Sequence, residues 1–158
     1  MGQLFELQMD HELVTEGYWS EYLLYDDGQW FDHRCEIVPT ICQVMSSLAA
    51  VAGVVEGFDE AEAPGQITIL RMEGGSSLAP HCGPRNSRLT AHLPLIVPEI
   101  EEPSVDEPVG LRVGEPGGEA AAAEWRRWEE GQVLIFDDSF EHEARWPEAT
   151  EEVNQSRH

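Results

Sequence analysis

The stretch LAPHCGPRNSRLTAHLPLIVP, residues 78–98, joins a glycine-proline turn to a segment in which apolar and polar residues alternate. In the segment 88–98, Leu89, Ala91, Leu93 and Leu95 share one face, and Arg88 and His92 share the other. Alternation with a period of two is typical of a β-strand with one apolar face. We therefore predict a strand over 88–98, preceded by a turn that presents His81.

Further short strands are predicted along the chain. The segments 66–72, 110–113 and 132–136 are apolar and rich in β-branched residues, and a strand over 22–30 turns at Asp27-Gly28. One helix is predicted over 38–55, where apolar residues recur at steps of three and four. The acidic loop 99–108 and the alanine-rich segment 114–130 are expected to lie outside the core. Several short strands with one or two helices indicate a mainly β fold, such as a sandwich or jelly roll.

Composition limits the partners of this chain. The 158 residues suit a single domain, and 9 Lys+Arg against 31 Asp+Glu give a formal net charge of −22. Such a charge repels phosphate backbones, which disfavours nucleic acid and anionic membrane surfaces as partners. The sequence shows neither a signal peptide nor a membrane-spanning segment. We expect a cytoplasmic or otherwise soluble chain, or one module of a larger membrane-anchored protein.

The chain has three cysteines, Cys35, Cys42 and Cys82, without the CxxC spacing of a zinc site. Cys35 and Cys42 could form a disulfide in an oxidising compartment, and the spacing alone leaves their state open.

Two histidines at strand ends are candidate metal ligands. His81 follows one β-segment, and His142 follows the segment VLIFDDSFE, residues 133–141. Two imidazoles on separate strands, with a carboxylate two residues after the first, form the facial triad of non-haem Fe(II) oxygenases. Here that carboxylate position is Gly83.

Two blocks carry a resemblance to a known family. PHCGPRNSRLTAHLPLIVP, residues 80–98, and WEEGQVLIFDDSFEHEA, residues 128–144, resemble the aspartyl/asparaginyl β-hydroxylase family of 2-oxoglutarate-dependent oxygenases. The resemblance extends more loosely to CEIVPTIC, residues 35–42, which is similar to a cysteine-bracketed segment of the family. Members of the family resemble this chain in having glycine at the position of the iron carboxylate.

The resemblance implies a fold, cofactors and site residues. The implied fold is a double-stranded β-helix, a cupin-like jelly roll, as a single domain over 1–158: a helix-containing region 1–65, a β-helix core 66–146 and a polar tail 147–158. His81 and His142 would bind Fe(II), His92 would contact 2-oxoglutarate, and Arg88 would contact the substrate. The implied reaction is hydroxylation of a peptidyl Asp or Asn side chain, or a related one, with O₂ as oxidant and ascorbate as activator.

One part of the family pattern is not found in this sequence. The resemblance implies a C-terminal strand that carries an arginine, whereas residues 147–158 are polar and have no apolar run. We therefore predict that this strand is missing, which would leave a sheet edge open for oligomerisation. Three interpretations follow: a hydroxylase, a diverged or truncated non-catalytic binding module with the same jelly-roll fold, or a jelly-roll sugar binder or isomerase.

Overall fold

The structure is a computed structural model that describes residues 13–26, 28–51, 65–84, 86, 89–98, 109–114 and 123–148. The described residues form two compact units, one within Ser20–Arg71 and the other within 9–19 and 72–158. Antiparallel strand pairs dominate, and the described helices are short, so the predicted mainly β class is confirmed. None of the helices in these ranges is long and apolar enough to span a membrane.

The first unit is built on a three-stranded sheet with the order β3-β2-β4. Its strands are β2 Trp19–Asp26, β3 Gln29–Trp30 and β4 Gln66–Met72. Gly28 connects β2 to β3 with a φ of 82°, a conformation that favours glycine. The predicted turn and the predicted strand 66–72 are both confirmed, although Asp27 itself lies outside the described residues.

Two helices follow β3 in the first unit. They are α1 Asp32–Cys35 and α2 Pro39–Val51. The amide of Cys42 donates to the carbonyl of Val38 over 3.2 Å, so Pro39 occupies the first helical position, where its lack of an N–H costs nothing. The predicted helix is thus confirmed over 39–51, and residues 52–55 lie outside the described ranges.

A disulfide between Cys35 and Cys42 links the two helices, with 5.7 Å between the Cα atoms. Cys42 is buried in a cluster with Tyr22, Leu24, Tyr25 and Ile67, so the bridge attaches both helices to the core of the first unit. The third cysteine, Cys82, is free and exposed.

The second unit contains a five-stranded sheet with the order β1-β5-β10-β7-β8. The strands are β1 Val14–Glu16, β5 Ser76–His81, β7 Gly110–Val113, β8 Trp125–Arg126 and β10 His142–Trp146. Leu78, Leu111 and Ala144 from the three central strands form its buried core. The buried carboxylate of Glu143 on β10 pairs with Arg112 opposite it on β7. This ion pair adds a side-chain link to the backbone pairing of the two strands.

A separate two-stranded sheet pairs β6 Thr90–His92 with β9 Leu134–Phe136. Leu89, Leu93 and Ile135 are exposed on this sheet, whereas Thr90 and His92 are half-buried. The predicted alternation is confirmed over the described residues 89–95, where the polar face is the one turned inward, and Arg88 lies outside the described residues. The regular strand covers 90–92, which is shorter than the predicted 88–98.

Residues 114–130 were expected to lie outside the core, and this expectation is wrong for the C-terminal end of the segment. Trp125 belongs to β8, which pairs with β7, and Trp128 packs against the core of the second unit. Each tryptophan has a large apolar surface, and its burial favours packing at this end of the segment despite the charged neighbours.

We expect that Cys35→Ser/Cys42→Ser lowers the free energy of unfolding by about 2 kcal/mol, because the short closed loop restricts the unfolded chain. Urea denaturation measures this difference. Cys82→Ser is the control, and its exposed side chain predicts an unchanged midpoint. Equal stability of the double variant and the wild type would contradict the structural role of the bridge.

Candidate active site

The two predicted metal ligands face each other across a strand pair. The register of β5 with β10 places His142 directly opposite His81, and a bulge follows between His142 and Ala144. The two imidazole rings are 4.2 Å apart between centroids and inclined by 53°. Two imidazoles bound to one ion at about 2.1 Å in adjacent positions would have centroids roughly 4.6 Å apart. The observed separation therefore fits a shared metal ion.

Both imidazoles are oriented by the same local hydrogen bond. Nδ1 of His81 lies 2.8 Å from the carbonyl of Ala79, and Nδ1 of His142 lies 2.9 Å from the carbonyl of Phe140. A carbonyl only accepts hydrogen bonds, so Nδ1 carries the proton in each ring. Nε2 then keeps its lone pair, which is the arrangement that a metal-binding imidazole requires.

Burial keeps His142 in the neutral form. The pKa of His142 is lowered by desolvation, and the nearby His81 lowers it further, whereas the hydrogen bond to Phe140 and the charge of Asp138 raise it. The net effect is a lowered pKa, so the ring is neutral near pH 7 and competes less with protons for a metal.

The turn between β9 and β10 brings His142 back beside β5. Oδ1 of Asp137 accepts hydrogen bonds from the amide and the hydroxyl of Ser139, at 3.0 and 2.6 Å. These bonds, which also lower the pKa of Asp137, close the turn. The amide of Gly83 donates to the carbonyl of Asp138 over 2.6 Å, so the turn is attached to the loop that follows His81.

Gly83 leaves space that the Asp138 side chain occupies. A Cβ atom at Gly83 would lie 2.5 Å from the carboxyl carbon of Asp138, closer than real contacts allow. Asp138 is only 4% exposed, and its charge acts on His142. A facial triad would carry its carboxylate at the position of Gly83. The Asp138 carboxylate lies beside this position, but it comes from the turn between β9 and β10.

Asp138 was missed by the sequence analysis, although it lies four residues before His142. Two consecutive acids precede Ser139, and only the folded turn shows that Asp137 closes it while Asp138 is buried beside Gly83.

His92 lies near the histidine pair without belonging to it. Its ring contacts Phe136 at 5.0 Å, and Phe136 contacts His142 at 5.2 Å. Burial, with a smaller effect of His142, lowers the pKa of His92 to about 4. Nδ1 of His92 accepts a hydrogen bond of 3.2 Å from the indole Nε1 of Trp128. The structure thus brings together three of the four predicted site residues, whereas Arg88 lies outside the described residues.

Within the described ranges, no group of three or more His, Cys, Asp or Glu side chains is arranged to hold a metal ion. His81 and His142 offer two imidazole donors within these ranges.

Comparison with known proteins identifies the family. The sequence model of aspartyl/asparaginyl β-hydroxylases matches residues 2–153. The chain belongs to the aspartyl/asparaginyl β-hydroxylase family. It is 35% identical to the aspartyl/asparaginyl β-hydroxylase of Mus musculus over 144 residues, and 34% identical to that of Homo sapiens over the same length. Each match covers 91% of this chain and 16% of the relative.

A shorter match links the chain to a bacterial lipid-modifying enzyme. The ornithine lipid ester-linked acyl 2-hydroxylase of Rhizobium tropici is 40% identical over 73 residues, which cover 46% of this chain and 21% of that protein. Membership of the aspartyl/asparaginyl β-hydroxylase family implies Fe(II) and 2-oxoglutarate. Two imidazoles whose Nδ1 atoms are bound to carbonyls present Nε2 to a metal, and this donor set suits Fe(II).

The low pKa of His92 predicts a loss of stability in acid. Between its ordinary pKa of 6.5 and its folded pKa of about 4, the unfolded chain binds a proton that the folded chain does not. Stability therefore falls as the pH drops through this range.

We expect wild type to lose more unfolding free energy than His92→Gln when the pH is lowered from about 7 to about 5, in urea denaturation. Equal losses in the two proteins would contradict the burial of a neutral His92.

Proposed function

We propose that the chain is an Fe(II)- and 2-oxoglutarate-dependent dioxygenase that hydroxylates a peptidyl Asp or Asn side chain. The observation that carries the proposal is the facing pair His81 and His142, with both Nδ1 atoms bound to carbonyls. When bound, iron and 2-oxoglutarate supply oxidation of a C–H bond by O₂, with succinate and CO₂ as the products of the cosubstrate. Family membership and 91% coverage of this chain by the mouse relative support this function.

The chain's own residues would bind and orient the reactants. His81 and His142 would hold the metal through Nε2, because their Nδ1 atoms are used by backbone carbonyls. The Asp138 carboxylate beside Gly83 would accept hydrogen bonds from water on the metal. We assign it this role rather than direct ligation because the described residues present no three-ligand group.

His92 would contact the cosubstrate, and Arg88 would contact an acidic group of the substrate. Support for His92 comes from its half-buried position on β6 and its link through Phe136 to His142. Support for Arg88 comes from the family resemblance and from the sequence alternation, which predicts residue 88 on the same face as His92.

We also propose the double-stranded β-helix as the fold of a single domain, with the regions 1–65, 66–146 and 147–158 as predicted from the sequence. The support is that the five-stranded and two-stranded sheets of the second unit both contribute site histidines. The predicted absence of a C-terminal strand falls on 149–158, outside the described residues. The open sheet edge and the oligomer inferred from it therefore stay predictions.

We infer the redox compartment from the disulfide. Disulfides persist in oxidising compartments and are rare in reducing cytosol. The bridge between Cys35 and Cys42 therefore supports an oxidising compartment rather than the cytoplasm.

The test is iron binding and turnover by wild type and by the double variant His81→Ala/His142→Ala. We expect wild type to bind one Fe(II) per chain and to form succinate with ascorbate and Asp- or Asn-containing peptides. Loss of both imidazoles should reduce iron affinity and succinate formation by more than about 100-fold, since even loss of an outer-shell partner costs 10- to 100-fold. His33→Ala is the matched control, because His33 is exposed on α1.

Equal iron uptake by wild type and the double variant would contradict the metal site. Iron binding without succinate formation would instead favour the non-catalytic binding module. Hydroxylation of a lipid acyl chain but not of peptides would replace the proposed substrate with the class named for the Rhizobium tropici relative.

A further inference from the structure

One hydrogen bond distinguishes His92 from the other two site histidines. The indole Nε1 of Trp128 points to Nδ1 of His92 over 3.2 Å, and the two ring centroids are 6.1 Å apart. Trp128 is half-buried against the core of the second unit, and its ring lies 6.4 Å from that of Trp146. The donor is therefore held in place by packing on two sides.

The direction of this bond decides where the proton of His92 lies. An indole N–H donates and cannot accept, so Nδ1 of His92 must present a lone pair. A neutral imidazole has one proton, which then resides on Nε2. In His81 and His142 the partner of Nδ1 is a carbonyl, which requires the opposite arrangement.

We propose that Trp128 is a positioning residue that holds His92 in the Nε2–H form, so that His92 donates a hydrogen bond to an anionic ligand and does not bind the metal through Nε2. The three histidines thus have different functions although their rings are chemically identical. Two expose a lone pair for a cation, and the third exposes a proton for a carboxylate.

The inference rests on the proposed function for the identity of the anion, which would be a carboxylate of 2-oxoglutarate. The hydrogen bond from Trp128 uses Nδ1 of His92, so Nε2 is the ring nitrogen that can donate to a ligand. Hydrogen bonds to a charged acceptor are stronger than neutral ones, so the position of this proton affects cosubstrate affinity.

The test consists of two measurements on the full chain, each with and without Zn(II). They are ¹⁵N NMR of the histidine side chains and the affinity for 2-oxoglutarate. Trp128→Phe keeps an aromatic ring and removes the donor. Trp125→Phe is the matched control, because it removes the indole N–H of a ring that packs against Arg112 and Arg145 and does not donate to His92.

In the wild type we expect His92 to show an unprotonated Nδ1 and a protonated Nε2, and His81 and His142 to show the reverse without metal. Trp128→Phe should shift the His92 nitrogens toward a mixture of the two forms and weaken 2-oxoglutarate binding by about three- to tenfold, the effect of one hydrogen bond. Trp125→Phe should leave both measurements at wild-type values, and iron stoichiometry should be unchanged in both variants.

A protonated Nδ1 on His92 in the wild type would overturn the proposal. This measurement uses the wild type alone, so it does not depend on the folding of any variant. Unchanged His92 nitrogens in Trp128→Phe, or unchanged 2-oxoglutarate affinity despite a shift, would overturn it as well. If wild type bound no 2-oxoglutarate, the proposed function would fail, while NMR would still decide the proton position on His92.

Discussion

The antiparallel pairing of β5 with β10 is the constraint on which the site depends. It sets the last residue of one strand opposite the first residue of the other, and both are histidines. A shift by one residue would turn His142 to the opposite face of the sheet, so register is as important as residue type. The register is reinforced by burial of Leu78 and Ala144 in one core and by the ion pair of Glu143 with Arg112.

Proton positions and charges within the site follow from a few backbone and side-chain contacts. Carbonyls two residues before His81 and His142 hold the protons of these rings on Nδ1, and an indole holds that of His92 on Nε2. Gly83 admits a buried carboxylate from the turn before β10. Under the proposed function, a chain with a net charge of −22 would combine a cation site with a hydrogen-bond donor for an anion, because local contacts set each preference.

The parts of the fold that were predicted from the sequence are those with a clear hydrophobic period. Strand 66–72, strand 110–113 and helix 39–51 follow this rule. β5 and β10 were not predicted, because SSLAPH and HEARW contain polar residues and a proline, and their pairing depends on contacts between distant segments. The packing of Trp128 against the core was not predicted, because the alanine-rich composition of the preceding residues suggested that the whole segment lies outside the core. His81 and His142 were candidates from their position at strand ends, and the family resemblance then assigned roles to them and to His92. The position of Asp138 beside Gly83 could be seen only in the folded turn.

X-ray absorption spectroscopy of the Fe(II)-loaded chain tests the central claim, that the pairing of β5 with β10 creates a metal site with two imidazole ligands. The expected spectrum shows two imidazole nitrogens, with the remaining ligands oxygen and no sulfur. Three imidazoles would place His92 on the metal, and a sulfur ligand would place Cys82 there. Either result, or a spectrum without imidazole, would contradict the two-histidine site.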